Sequence, residues 1–112
     1  MTNEHWPRWA VAKHFREKGY RVNMNSLKVG NAAIDGEVIG KHWRMAIEIK
    51  SGHDDVIRGL GQLSAALAHG CNSAVLVVSL CHAKKLNLAT FNKRGIGILG
   101  VDSKAHVNQV YP

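Results

Sequence analysis

The chain has 112 residues, 46% of them hydrophobic, a size that suits one domain around a single core. Fifteen Lys and Arg against eight Asp and Glu give a formal charge of +7, and the pI is about 9.8. That is the electrostatic footprint of a nucleic-acid partner, although solubility, an acidic protein partner or a membrane surface would also use it. There is no apolar run of about 18 residues, and the opening Met1-Thr2-Asn3-Glu4-His5-Trp6-Pro7 lacks a signal-peptide core, so no membrane association and a cytoplasmic location are expected.

The first element is a helix over His5 to Lys18, with Pro7 tolerated in its first turn, Gly19 at its C-terminal cap, and Val11, Ala12 and Phe15 on the buried side. Tyr20 to Leu27 reads as a strand, and Val29-Gly30-Asn31 as a connection. Ile34 to Ile49 reads as a hairpin. After the loop Ser51-Gly52-His53, Asp54 or Asp55 caps a second helix that runs to about Gly70, with Val56, Leu60, Leu63 and Leu67 at helical spacing toward a sheet. Ser73 to Ser79 holds an apolar run suited to a strand buried on both faces. A third helix is expected over His82 to Lys93, followed by strands at Gly97 to Val101 and Val107 to Tyr111 joined by a turn at Asp102-Ser103-Lys104. The order αβββαβαββ predicts an α/β fold in one domain, with a mixed sheet flanked by helices.

The hairpin carries the chemistry. A two- or four-residue loop centred on Lys41 and His42 sets Asp35 opposite Glu48, and opposed side chains lie ~5 Å apart between Cβ atoms. Lys50 falls on the same face. The other face carries Ile34, Gly36 and Val38 against Met45, Ile47 and Ile49, an apolar surface for a core. Two adjacent carboxylates repel unless a cation or a proton offsets the repulsion. All-oxygen donors select hard ions, and Mg²⁺ is held by one or two carboxylates while it keeps waters and takes substrate phosphate oxygens. A lysine beside such a site orients or deprotonates the attacking water and stabilises charge on the phosphate. Metal-assisted phosphodiester hydrolysis is the reading that follows.

These residues resemble the signature of the PD-(D/E)xK nuclease superfamily, with its restriction-endonuclease-like fold. Ile34-Asp35 is similar to the first element, with Ile34 where the name-giving proline would stand, and Glu48-Ile49-Lys50 is similar to the second. The resemblance implies Asp35 and Glu48 as metal ligands with the Ile49 carbonyl as a further one, Lys50 as catalytic, and Mg²⁺ as the cofactor with Mn²⁺ as a substitute. Gly61-Gln62-Leu63 looks like the helix element that supplies a glutamine in several branches, which implies Gln62 as an assisting residue. Archaeal Holliday-junction resolvases in the superfamily also carry an acid on the first helix; Glu4 and Glu17 do not align with it. The activity implied is a Mg²⁺-dependent DNA nuclease, an endonuclease, acting on duplex or branched DNA. A homodimer is expected because so small a nuclease has little surface for gripping a duplex.

Arg8, Lys13, His53 and Arg58 are the candidate nucleic-acid contacts, and Trp6 and Trp9 either stack on bases or pack in a core or dimer contact. Lys84, Lys85, Lys93 and Arg94 either reach phosphates or form a solvated face. Glu37 is placed to pair with Arg44. Gln62 lies off the leucine stripe and is open to metal-bound water, to DNA backbone or to plain solvation. The seven histidines include no His-x-x-x-His pair, and Cys71 and Cys81 read as reduced thiols. A module that keeps the fold and binds nucleic acid or protein without catalysis is the alternative function.

Overall fold

The computed structural model describes residues 5–50, 56–86 and 95–111. Helix α1 (His5–Glu17) buries Ala10, Val11 and Ala12. It ends where Gly19 takes a φ of +89°, a conformation open to glycine, while the Gly19 and Tyr20 amides bond back to the Arg16 and Phe15 carbonyls.

The expected strand over Tyr20 to Leu27 divides in two. Strand β1 (Arg21–Asn23) stops because the Asn23 side chain accepts the Asn25 amide at 3.1 Å, a local turn that competes with the ladder. The chain then forms a separate hairpin, β2 (Leu27–Val29) and β3 (Ala32–Ile34), with its turn at Gly30. Gly30 has a φ of +60°, and a Cβ there would fall on the His69 ring. This hairpin was absent from the expected order.

Strands β4 (Gly36–Gly40) and β5 (Trp43–Ile49) form the second hairpin in the expected register, with Gly40 against Trp43 and Glu37 against Ala46 across a two-residue turn at Lys41-His42. One residue departs from it. The Asp35 amide bonds the Ile47 carbonyl at 3.0 Å while the ladder pairs Gly36 with that same Ile47, so two residues face one as in a β-bulge. Ile34 consequently points to the face opposite Val38, Met45, Ile47 and Ile49, which corrects the expectation that it shares theirs.

Helix α2 (Val56–Ala68) leads to β6 (Ser73–Ser79), whose residues Ala74, Leu76 and Val78 face one core and Val75 and Val77 the other. Helix α3 spans only Leu80–Ala83, capped where Ser79 accepts the His82 amide at 3.2 Å. It therefore begins two residues earlier than expected and gives way to a turn over 84–86; the rest of the expected helix to Lys93, and Arg94 after it, lie outside the described residues. Strands β7 (Ile96–Val101) and β8 (Val107–Tyr111) meet across the expected turn, where the Asp102 carboxylate accepts the Lys104 and His106 amides.

The result is an α/β fold with one mixed sheet in the order β1-β4-β5-β6-β7-β8, parallel across β5-β6-β7 and antiparallel elsewhere. One face packs on α2, α3 and the β2–β3 hairpin; the other packs on α1. No helix among the described residues is long and apolar enough to cross a membrane.

Candidate active site

The bulge at Asp35 sets the site. Gly36 leaves no room for a side chain beside the bulge, since a Cβ there would stand 2.7 Å from the Asn23 carbonyl oxygen. Asp35 Oδ2 accepts the Ile49 amide at 2.7 Å. Arg8 reaches over from α1, donating to the carbonyls of Met24 at 2.6 Å and Asp35 at 3.0 Å, with its other terminal nitrogen 3.6 Å from Asp35 Oδ1. Arg8 was expected on nucleic acid. Its guanidinium instead faces inward, because three acceptors converge where α1 crosses the end of the hairpin.

Glu48 sits across from Asp35 and is buried, at 5% exposure. Its Oε2 lies 3.6 Å from Lys50 Nζ, while Oε1 is buried with no hydrogen-bond partner. Asp35 adjoins this carboxylate but is itself an acceptor, so the two can share a hydrogen bond only if one takes a proton. Burial first, and the Asp35 carboxylate second, push Glu48 up to about 7, against the pull of the Lys50 ammonium. Lys50 continues the β5 ladder through its amide to the Val77 carbonyl at 3.0 Å. Asp35, Glu48 and Lys50 thus lie together, Asp35 brought there by the bulge and not by the ladder register.

Gly59 on α2 makes that convergence possible. A Cβ there would lie 3.2 Å from Lys50 Cε, 3.3 Å from Leu76 Cδ1 and 3.5 Å from Glu48 Cγ, so the bare backbone is what lets the helix close over both stems. The sequence carried a signal for it: glycine in a helix interior costs about 1 kcal/mol against alanine and marks a close approach.

Gln62 does not join the cluster. Its Oε1 accepts the Ala33 amide at 3.0 Å, tying β3 to α2 one residue before Ile34-Asp35. Lys13 is exposed, 3.8 Å from Glu17 and 5.2 Å above the Trp9 ring, and Arg58 is exposed on the first turn of α2. His53, Asp54 and Asp55 lie outside the described residues, as does the Trp6 side chain. Glu37 pairs with Arg44 at 2.8 Å, as its diagonal position required.

The donor set fits a hard divalent cation. An unpartnered buried carboxylate oxygen next to a second carboxylate is a place where positive charge is stabilising, and oxygen donors are what Mg²⁺ takes. No group of three His, Cys, Asp or Glu forms among the described residues, so remaining ligands would be backbone, water or substrate oxygens.

No protein-family model matches the sequence, and a search of curated proteins finds no match. Two solved structures resemble the chain. An XisH family protein from Nostoc punctiforme PCC 73102 superposes with a TM-score of 0.68 at 16% identity, over 96% of this chain and 99% of that one. The SPO1766 protein of unknown function from Silicibacter pomeroyi superposes with a TM-score of 0.71 at 21% identity, over 99% of this chain and 70% of that one. At these identities the likeness establishes the fold.

Proposed function

We propose that the protein is a Mg²⁺-dependent nuclease that hydrolyses DNA phosphodiester bonds, with Mn²⁺ able to substitute. The observation that carries the reading is the buried, unpartnered Oε1 of Glu48 beside Asp35, with the Lys50 ammonium 3.6 Å from the other oxygen of Glu48. Asp35 and Glu48 would hold the metal, with the Ile49 carbonyl as a third donor. A bound divalent cation would polarise a nonbridging phosphate oxygen and lower the pKa of water toward neutrality. Lys50 orients the attacking water and stabilises charge gathering on the phosphate. Arg8 fixes the orientation of Asp35, and Gln62 holds the strand that leads into it. The charge of +7 favours a polyanionic substrate, with His53 and Arg58 following Lys50 in sequence as candidate phosphate contacts, and action as a homodimer belongs to the same proposal.

One observation favours a second reading. Arg8 and Lys50 between them place two cationic groups on two carboxylates, so the cluster can stand as a structural charge network in a binding module without turnover. One experiment separates the readings: wild type, Asp35→Asn and Lys50→Ala incubated with linear, nicked, single-stranded and four-way DNA plus Mg²⁺ or Mn²⁺. Metal-dependent cleavage lost in both variants supports the nuclease. Equal cleavage by all three indicates a contaminant, and binding without cleavage the module.

A further inference from the structure

Aromatic and cationic side chains meet a second time, at the turn end of the β4–β5 hairpin. Phe15, Tyr20 and Trp43 form a chain of ring contacts, with centroids 6.3 Å apart from Phe15 to Tyr20 and 5.7 Å apart from Tyr20 to Trp43. Phe15 and Trp43 pack on the core under α1, whereas Tyr20 remains 41% exposed. Beside Tyr20 lies a depression of about 480 Å³ whose walls include Arg21 and Lys41, both exposed, and whose lining contains no acidic side chain. Gly40 keeps its floor low: a Cβ there would stand 3.3 Å from the Trp43 ring and 3.8 Å from Tyr20.

We propose that this depression binds single-stranded nucleic acid, with one base stacked on Tyr20 and neighbouring phosphates held by Arg21 and Lys41. An accessible ring braced from behind by two others is a stacking platform of low conformational cost, and separate cations on one rim match the charge of a strand's backbone. A duplex keeps its base faces inside the stack and would use only the cations. An acidic peptide would likewise leave the ring idle. The surface is distinct from the carboxylate cluster: Trp43 and Glu48 lie at opposite ends of β5, about 17 Å apart at ~3.4 Å per residue, and point to opposite faces of the sheet. The proposal therefore stands whether or not Asp35 and Glu48 support cleavage.

The test is fluorescence anisotropy of the full chain with a labelled twelve-nucleotide oligo-dT and with a duplex of equal length, in EDTA so that no metal-dependent cleavage intervenes. Tyr20→Leu should weaken single-strand binding about tenfold, leave duplex binding unchanged, and be rescued by Tyr20→Trp. The pair Arg21→Glu with Lys41→Glu should weaken it further and reduce the slope of log affinity against log salt by about 1.4, two phosphate contacts at ~0.7 each. If Tyr20→Leu melts below the assay temperature, the exposed charge-reversal pair and the Tyr20→Trp chain decide alone. Unchanged oligo-dT binding in Tyr20→Leu or in the charge-reversal pair, loss of binding in a folded Tyr20→Trp chain, or polyglutamate competing as well as oligo-dT, would overturn the proposal.

Discussion

The Asp35 carboxylate accepts the backbone amide of Ile49 at 2.7 Å, so the acid that opens the hairpin is fastened to the residue between Glu48 and Lys50. The three candidate side chains thereby gather at one strand end. A carboxylate bound to a main-chain amide has little freedom, and any ligand it offers is offered from a fixed position.

Glu48 makes metal-free stability pH-dependent. Its folded-state pKa of about 7 lies above the 4.5 of the free group, so the native state binds more protons than the unfolded chain between those values. The stabilising effect is full below pH 4.5 and is lost as pH rises through 7. In EDTA the melting temperature of wild type should fall on the order of 5 °C between pH 5 and pH 8, a dependence that Glu48→Gln should flatten. A wild-type curve already flat, or rising, counts against the buried carboxylate pair.

Mg²⁺ should stabilise the wild type by RT ln(1 + [L]/Kd), most at alkaline pH where both carboxylates are charged, and raise its melting temperature accordingly. Asp35→Asn should abolish the increment. Lys50→Ala should keep it while cutting cleavage by a factor on the order of 10² to 10⁴. Calorimetry at pH 8 with and without 5–10 mM Mg²⁺, an order-of-magnitude excess over weak two-carboxylate binding, makes the comparison.

Arg8→Ala removes donors to Met24 and Asp35 and should cost about 1.5–3 kcal/mol in urea unfolding, the range for hydrogen bonds involving a charged group. Arg8→Lys should recover part of that, since an ammonium lacks the guanidinium fork. A substitution within 0.5 kcal/mol of wild type would return Arg8 to the role of a surface contact.

Gly59→Ala sets helix propensity against space. Alanine favours α2 by about 1 kcal/mol, while its methyl presses on Lys50 Cε and on the buried Leu76. The net change in stability should be within about 1 kcal/mol of zero, with cleavage reduced roughly tenfold because Lys50 is displaced. Unaltered kcat would show that the Lys50 stem yields freely.

Gln62→Ala should cost about 1 kcal/mol by leaving the Ala33 amide unpaired, and Gln62→Glu, which keeps an acceptor, should restore it. A loss of kcat in Gln62→Glu at undiminished stability would instead point to contact with substrate or metal-bound water.

The hairpin register was legible because its determinants are local: alternation across two strands and the turn at Lys41-His42. Strand β6 was legible from its apolar run for the same reason. Ile34 was placed on the wrong face because the bulge at Asp35 shifts the alternation by one residue, and the close approach of Gly36 to Asn23 beside it is packing that no local pattern displays. Arg8 was read from its charge as a surface contact, while its partners Met24 and Asp35 lie 16 and 27 residues away. The early start of α3 did have a signal, Ser79 as a cap, hidden by its double use as the end of a strand.

Each tether on the acidic corner spans a long stretch of chain: 27 residues from Arg8 to Asp35, 14 from Asp35 to Ile49, and 29 from Ala33 to Gln62. Closing such loops costs entropy before the contacts that reward it form, so the corner is expected to assemble late, with the helices docked on a formed sheet. If the proposed nuclease reading holds, cleavage would then be among the last properties gained during refolding, and a nascent or half-folded chain would leave nucleic acid uncut.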